Sequence, residues 1–212
     1  MRSSRLAILT LGLALAGVAH ADKKLDEAVA RAAEQLRKGR PEEALKTLQK
    51  VAQSSSDPAA HQALARLQVR LGNSDAALAS YRKAAQVAAA GPARAAALAE
   101  LALFELRVAP AAEARAHAEQ AAAAHESAAG WAALTIAQAR SGQLEAALAN
   151  SERALASGPT SALAHVARGE VLLASGRSPD AVTAFRRARE LEAGSVAAAA
   201  GLARALASRG EG

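Results

Sequence analysis

Small and apolar residues recur at fixed distances from a glycine that returns at a nearly constant interval along this chain. The glycines are Gly39, Gly72, Gly142, Gly176 and Gly210, and Ala109 occupies the missing place. The intervals between successive places are 33, 37, 33, 34 and 34, and we call these six places the turn positions. An alanine follows each of the first five by five residues: Ala44, Ala77, Ala114, Ala147 and Ala181. A period of about 34 residues is typical of helical solenoids.

The residues around each turn position predict two helices joined by a tight turn. Glycine adopts the left-handed conformation that ends a helix. Pro41, Pro110 and Pro179 fit the first turn of a following helix, Ser178 is predicted to cap it, and Asn73-Ser74 serve the same purpose. The alanine five residues on lets this second helix lie close to the first. Four residues later a further residue fills the space between layers: Leu48, Tyr81, Ala118, Ser151 or Phe185.

At these spacings the chain resembles the tetratricopeptide repeat family. The copy over 128–159 carries Trp131, Leu134, Gly142, Ala147 and Pro159 at the family's spacings. The copy over 95–126 is degenerate, because alanine replaces both the glycine and the usual aromatic residue. The alternative is an alanine-rich helical bundle in which the glycine spacing is accidental.

The resemblance implies an all-α fold, a right-handed superhelical solenoid of antiparallel helix pairs. Its five repeats are predicted near 25–57, 58–90, 95–126, 128–159 and 162–193, followed by a capping helix over 195–210. Solenoids require such a helix because it covers the apolar end of the stack.

Residues 1–21 have the pattern of a signal peptide. A cationic start with Arg2 and Arg5 precedes an apolar run over 6–18, and Ala19-His20-Ala21 follows as a small-x-small cleavage site. The run is shorter than the roughly 20 residues that a membrane-spanning helix needs. We therefore predict cleavage after Ala21, no stable membrane span afterwards, and a periplasmic or secreted repeat domain over 22–212.

Composition favours helices and excludes several kinds of site. Alanine is a strong helix former, and the chain has only four aromatic residues and no cysteine. The formal net charge is +6, to which Arg2 and Arg5 contribute two. Acidic residues are interleaved along most of the chain and no lysine follows Lys83, so nucleic-acid binding is not expected.

No catalytic, cofactor-binding or metal-binding residues are predicted, and the chain is not expected to be an enzyme. The phosphate-loop, nucleophile-elbow and zinc-protease motifs are all absent from the sequence. His61 and His165 stand eleven residues before a turn position, where Trp131 stands in the fourth copy, which indicates packing residues. His117 and His125 are too far apart in sequence to bind one ion unaided.

The resemblance implies that the first helix of each pair lines a concave groove, where peptide segments or partner helices bind. Arginines stand two residues before four successive turn positions, at Arg37, Arg70, Arg107 and Arg140. Six residues before their turn positions lie Arg66, Leu103 and Ile136. The predicted peptide-binding groove therefore consists of Arg66, Arg70, Leu103, Arg107, Ile136 and Arg140.

An apolar centre edged by arginines suits a partner of acidic character, because guanidinium groups match carboxylates. The alternative is that the arginines only provide favourable charge at helix C-termini. The family's carboxylate clamp uses lysine and asparagine, whereas the corresponding positions here include Gln62, Arg66 and Glu100. That particular activity is not expected.

The sequence thus predicts an exported adaptor or scaffold that binds another protein, within a bacterial cell-envelope or secretion assembly. One alternative is a structural repeat protein that associates with itself as a homo-oligomer. A second is a non-catalytic accessory subunit of an envelope enzyme.

Overall fold

The computed structural model describes residues 23–208 and residue 210, and in this part of the chain every regular element is an α-helix. The eleven helices are α1 (Lys23–Arg37), α2 (Pro41–Ser54), α3 (Pro58–Arg70), α4 (Ser74–Val87), α5 (Pro92–Val108), α6 (Ala111–Ala124), α7 (Ala128–Arg140), α8 (Leu144–Ser157), α9 (Ala162–Ala174), α10 (Ser178–Leu191) and α11 (Val196–Ser208). The predicted signal peptide lies outside the described residues.

Contacts between helices are those of a solenoid. Each odd-numbered helix from α1 to α9 packs against the helix that follows it, and each pair contacts the next. The first helices of neighbouring pairs also touch, α3 with α5, α5 with α7, α7 with α9 and α9 with α11. The fold class is therefore confirmed as an all-α solenoid of antiparallel helix pairs with a single helix at its C-terminal end.

The glycine turns have the predicted left-handed backbone. Gly39, Gly72, Gly142 and Gly176 have φ between 72° and 80°. After Gly39 the backbone N–H of Arg40 donates to the carbonyl of Gln35, and the other three turns repeat this hydrogen bond at 2.8–2.9 Å. This bond closes the last turn of the helix, as in a Schellman motif.

The third pair turns differently because Ala109 carries a side chain. Ala109 has φ −130° and ψ 169°, which is extended backbone, and its N–H donates to the Glu105 carbonyl at 2.8 Å. Helix α5 is also longer than α3, α7 and α9, with 17 residues against 13. Its first residue, Pro92, lies further ahead of Ala109 than Pro58 of α3 lies ahead of Gly72. This difference accounts for three of the four residues by which the interval before Ala109 exceeds 33.

Side-chain caps begin four of the described helices. The capping residues Asp57, Ser127, Ser161 and Ser195 each accept a backbone N–H from the first turn of α3, α7, α9 and α11. The prediction that Ser178 caps its helix is wrong, because Ser178 is already the first residue of α10 and Arg177 precedes it. The Ser178 hydroxyl instead forms a hydrogen bond with the Ser208 hydroxyl of α11 at 2.7 Å.

The core consists of thin layers of alanine and leucine. All five alanines that follow the turn positions are completely buried. The residues four positions further on are buried as well, including Tyr81 and Phe185. Phe185 lies against two glycines, because a Cβ at either Gly169 or Gly201 would overlap its ring. Those contacts lock α9, α10 and α11 together.

A polar pair joins the two helices in four of the five repeats. Its members lie four residues before and eight residues after the turn position, which places them opposite each other in the helix pair. They are Gln35 with Thr47 (3.0 Å), Gln68 with Ser80 (2.7 Å), Glu105 with His117 (2.7 Å) and Gln138 with Asn150 (2.8 Å). In the fifth repeat the same positions hold Leu172 and Ala184, both buried.

Candidate functional site

A concave cavity of about 370 Å³ runs across the inner side of the solenoid. First helices supply nearly all of it, from α3 to α11, and Tyr81 of α4 joins them. Its apolar lining comprises Val69, Tyr81, Leu103, Phe104, Leu106, Ile136, Leu163, Val166 and Ala197, and its charged lining comprises Arg66, Glu100, Arg107, Arg140 and Glu170. We call this cavity the groove.

Five of the six residues predicted for the groove line it. Arg66, Leu103, Arg107, Ile136 and Arg140 lie together, whereas Arg70 is exposed on α3 outside the lining. Leu103 is half-buried, so its side chain is open to a ligand. Ile136 is only 6% exposed and contributes mainly to the core. The contact surface in the centre of the groove is therefore provided by α5 more than by α7.

Most charges in the groove are already satisfied. Arg66 forms an ion pair with Glu100, and Arg204 forms one with Glu170. Arg140 donates to the backbone carbonyl of Leu106. In each case the partners are one repeat apart in the sequence, because the solenoid places equivalent helices side by side.

Two arginines and one carboxylate oxygen are left available. Arg70 and Arg107 are exposed and have no hydrogen-bond or ion-pair partner in the described part of the chain. Glu100 uses Oε1 to bind Arg66, while its Oε2 is buried without a hydrogen-bond partner there. Within its lining, over the described residues, the groove therefore presents one free guanidinium, that of Arg107, and one acceptor that lacks a donor.

Tyr81 closes one side of the groove in a largely apolar setting. Its ring lies 5.2 Å from that of Phe104. Burial raises the pKa of Tyr81 to about 12, and the nearby Glu100 carboxylate adds to this, against the opposing influence of Arg66 and Arg107. The phenol therefore stays protonated at physiological pH.

Sequence reasoning does not assign Tyr81 or Glu100 to the site. Tyr81 is predicted only as a residue between layers, and Glu100 only as a position of the family's clamp. Opposite charges one repeat apart, as in Arg66 with Glu100 and Glu170 with Arg204, are the signal that identifies such pairs once the period is known.

Three of the histidines are buried or have hydrogen-bond partners within the solenoid. Burial, with a contribution from the charge of Lys83, lowers the pKa of His61. His165 lies with Nε2 3.0 Å from the Pro159 carbonyl, and His117 pairs with Glu105. Within the described ranges no group of three metal-ligating side chains comes together, and no helix is long and apolar enough to span a bilayer.

Solved structures of similar fold are repeat proteins. A thermophilic TPR protein of Thermus thermophilus is 21% identical with a TM-score of 0.64, over 86% of this chain and 99% of the other. PilW, a type IV pilus biogenesis factor, is 20% identical with a TM-score of 0.64, over 90% and 88%. YrrB, described as a TPR protein with an unusual peptide-binding site, is 15% identical with a TM-score of 0.50, over 82% and 89%. At such identities the likeness concerns the fold alone.

The sequence matches a family model at the level of the repeats themselves. No protein with curated annotation matches the chain significantly. The model for the tetratricopeptide repeat matches residues 29–92, 132–195 and 166–212, which together exceed half of the chain. Combined with the helix pairs and the glycine turns, this match shows that the chain belongs to the tetratricopeptide repeat family.

Proposed function

We propose that this chain is an exported adaptor that holds a segment of another protein in its groove, within a bacterial envelope or secretion assembly. Repeats of this family generally act as scaffolds for protein–protein interaction, so a non-catalytic role is proposed with it. The observation that carries the proposal is the groove itself, an apolar surface across several first helices with Arg107, unpaired among the described residues, in its lining.

The envelope location is supported by the pattern of residues 1–21 and by comparison with PilW, which is described as a pilus biogenesis factor. It is tested by the intact mass of the protein purified from its host. The proposal requires the loss of everything up to Ala21, so that the mature chain begins at Asp22. A mass that retains the segment 1–21 would count against export by cleavage.

Groove binding is tested by crosslinking in living cells. A photoreactive amino acid at Leu103 is expected to capture a partner protein, which mass spectrometry then identifies. The matched control places the same group at Arg94, which is exposed on the same helix but does not line the groove. Capture that is equally efficient from both positions, or from neither, contradicts the proposal.

The basic edge is tested separately. Replacing Arg70, Arg107 and Arg140 together by alanine should weaken capture from Leu103 if these arginines contact an acidic segment. Unchanged capture would assign them to helix-end electrostatics alone.

A further inference from the structure

One face of α5 carries an acidic, an apolar and a basic side chain in succession. Glu100, Leu103 and Arg107 are separated by three and four residues, so they lie on one side of the helix. All three line the groove. In order along the helix they offer a hydrogen-bond acceptor, an apolar side chain and a cationic donor.

At the Glu100 end of this face, one carboxylate oxygen lacks a hydrogen-bond donor within the described ranges. The Glu100 side chain is 29% exposed and opens toward the groove, yet its Oε2 is buried and has no donor among the described residues. A buried acceptor without a donor is unfavourable, and a hydrogen bond from a bound segment removes that cost. An ammonium, guanidinium or amide N–H is the chemistry that this oxygen accepts.

The donor end is also available. Arg107 is exposed and unpaired within the described residues, whereas Arg66, Arg140 and Arg204 are each occupied by a carboxylate or carbonyl of the protein. A carboxylate is the strongest acceptor for a free guanidinium. Both groove groups that lack a hydrogen-bond partner in the described part of the chain, Glu100 Oε2 and the Arg107 guanidinium, therefore lie on α5.

We propose that α5 determines the direction in which a partner segment binds. The segment is an internal, extended stretch of another protein with a basic residue at Glu100, an apolar residue at Leu103 and an acidic residue at Arg107. The inference rests on the proposed function, since it specifies the occupant of the same groove. A chain-terminal carboxylate is disfavoured at the Glu100 end because like charges repel.

The geometry fixes the spacing of this motif. Seven residues of α-helix separate Glu100 from Arg107, a rise of about 10 Å. An extended peptide points every second side chain to the same face, so a basic, an apolar and an acidic residue at alternate positions face α5 together over about 13 Å, which their side chains adjust to this length. The cavity volume of about 370 Å³ lies at the low end for ligand pockets, and we assign it to a short extended segment rather than to a whole helix.

The test uses a displayed library of random peptides flanked by fixed linkers, selected on the purified full chain. Wild-type protein should enrich peptides with a basic, an apolar and an acidic residue at alternate positions, so that the charged residues are about four positions apart. Selection on Glu100→Gln should lose the basic preference, and selection on Arg107→Glu should replace the acidic residue by a basic one. Each substitution should also weaken a wild-type peptide roughly fivefold.

Two controls separate this inference from the proposed function. Arg94→Glu makes the same charge change on the same helix outside the groove and should enrich the wild-type motif. Leu103→Gln, which keeps side-chain length and helix propensity, should abolish enrichment. Circular dichroism should show wild-type helicity for every variant.

The outcomes are distinct. One outcome is that enrichment of a peptide is lost in Leu103→Gln but is unchanged in Glu100→Gln and in Arg107→Glu. This result would overturn the proposal that α5 sets the binding direction, and it would leave groove binding intact. If no enriched peptide depends on Leu103, then both the proposed binding direction and binding in the groove are wrong.

Discussion

At the scale of single residues, burial decides what the groove side chains do. Tyr81 is only 7% exposed, and its phenol lies near the Glu100 carboxylate. Both features disfavour the phenolate, so the folded protein holds this proton more tightly than the unfolded chain. Tyr81 therefore adds no charge to the groove. The charge of the groove comes from its glutamates and arginines.

Tyr81 is the only tyrosine in the chain, which makes its titration directly measurable. Its phenolate absorbance should appear with a midpoint near pH 12 in the folded protein and near the ordinary value of about 10 in denaturant. Between these values the unfolded chain loses the proton first, so stability should fall as pH rises, by about 3 kcal/mol in all. A midpoint near 10 with helicity retained would show that Tyr81 is not buried as described.

The residues of the groove were predictable only in part. The spacing from the turn positions located Arg66, Leu103, Arg107 and Arg140, because equivalent positions of a solenoid lie side by side. It could not show that Arg66 is neutralised by Glu100, since that ion pair depends on side-chain conformation across two helices. Which arginines remain free is therefore a structural finding.

At the scale of the helix pair, a polar contact that is partly or fully buried is repeated at positions that the turn pattern did not single out. Gln68 and Ser80 are both buried, and the Ser80 hydroxyl donates to Gln68 Oε1. Glutamine and serine are common on exposed helix faces, so their types alone gave no reason to pair them. The recurrence of polar residues twelve apart around four of the five turns is the pattern that reveals the contact.

The fifth repeat shows how this contact can be replaced, because it holds Leu172 and Ala184 instead. Ser80→Ala alone should lower the free energy of unfolding by about 1–3 kcal/mol, since it leaves Gln68 buried without its donor. The double variant Gln68→Leu/Ser80→Ala should recover most of that loss. Urea unfolding of the two single variants and the double variant measures the coupling. Additive losses would mean that the hydrogen bond does not contribute.

Phe185 tests how closely the last helices pack. Gly201→Ala should gain about 1 kcal/mol of helix propensity but overpack the fully buried Phe185 ring, at a cost of about 1–3 kcal/mol. We expect a net loss of stability in thermal or urea unfolding, relieved when Phe185→Leu is added. Ala203→Ser, at an exposed position of the same helix, serves as the control. A stabilised Gly201→Ala variant would contradict the packing.

Most of the helical architecture followed from the sequence, because glycine at a left-handed turn and alanine at a close helix crossing are physical requirements. The details that did not follow have local causes. Ser178 is not the cap of α10, because the helix begins with it. The long α5 could be anticipated from the wide interval before Ala109, but not which end of the helix carries the extra residues.

At the scale of the whole molecule, the C-terminal end depends on α11. Ala198, Leu202 and Ala205 of this helix are buried against the fifth pair. A chain ending at Ala193 exposes the matching apolar surface around Val182 and Phe185, so it should be less stable and should aggregate. Light scattering and thermal unfolding check this. If that shorter chain remains monomeric and equally stable, α11 is not a cap.

Self-association is the alternative to partner binding, and the outer surface of α11 offers a place for it, since Val196 there is 72% exposed. Light scattering of the full chain over a range of concentrations separates the two functions. A monomer whose mass does not change with concentration agrees with partner binding in the groove, whereas a concentration-dependent dimer favours a structural role.

The most direct test of groove binding is the affinity of the captured partner segment for the protein. The segment identified by crosslinking from Leu103 is synthesised as a labelled peptide, and its Kd is measured by fluorescence anisotropy. Leu103→Gln should weaken binding about tenfold or more, because it places a polar group in the apolar centre, while Arg94→Glu should leave the Kd unchanged. Equal affinity of the wild-type and Leu103→Gln proteins would show that the groove is not the binding site.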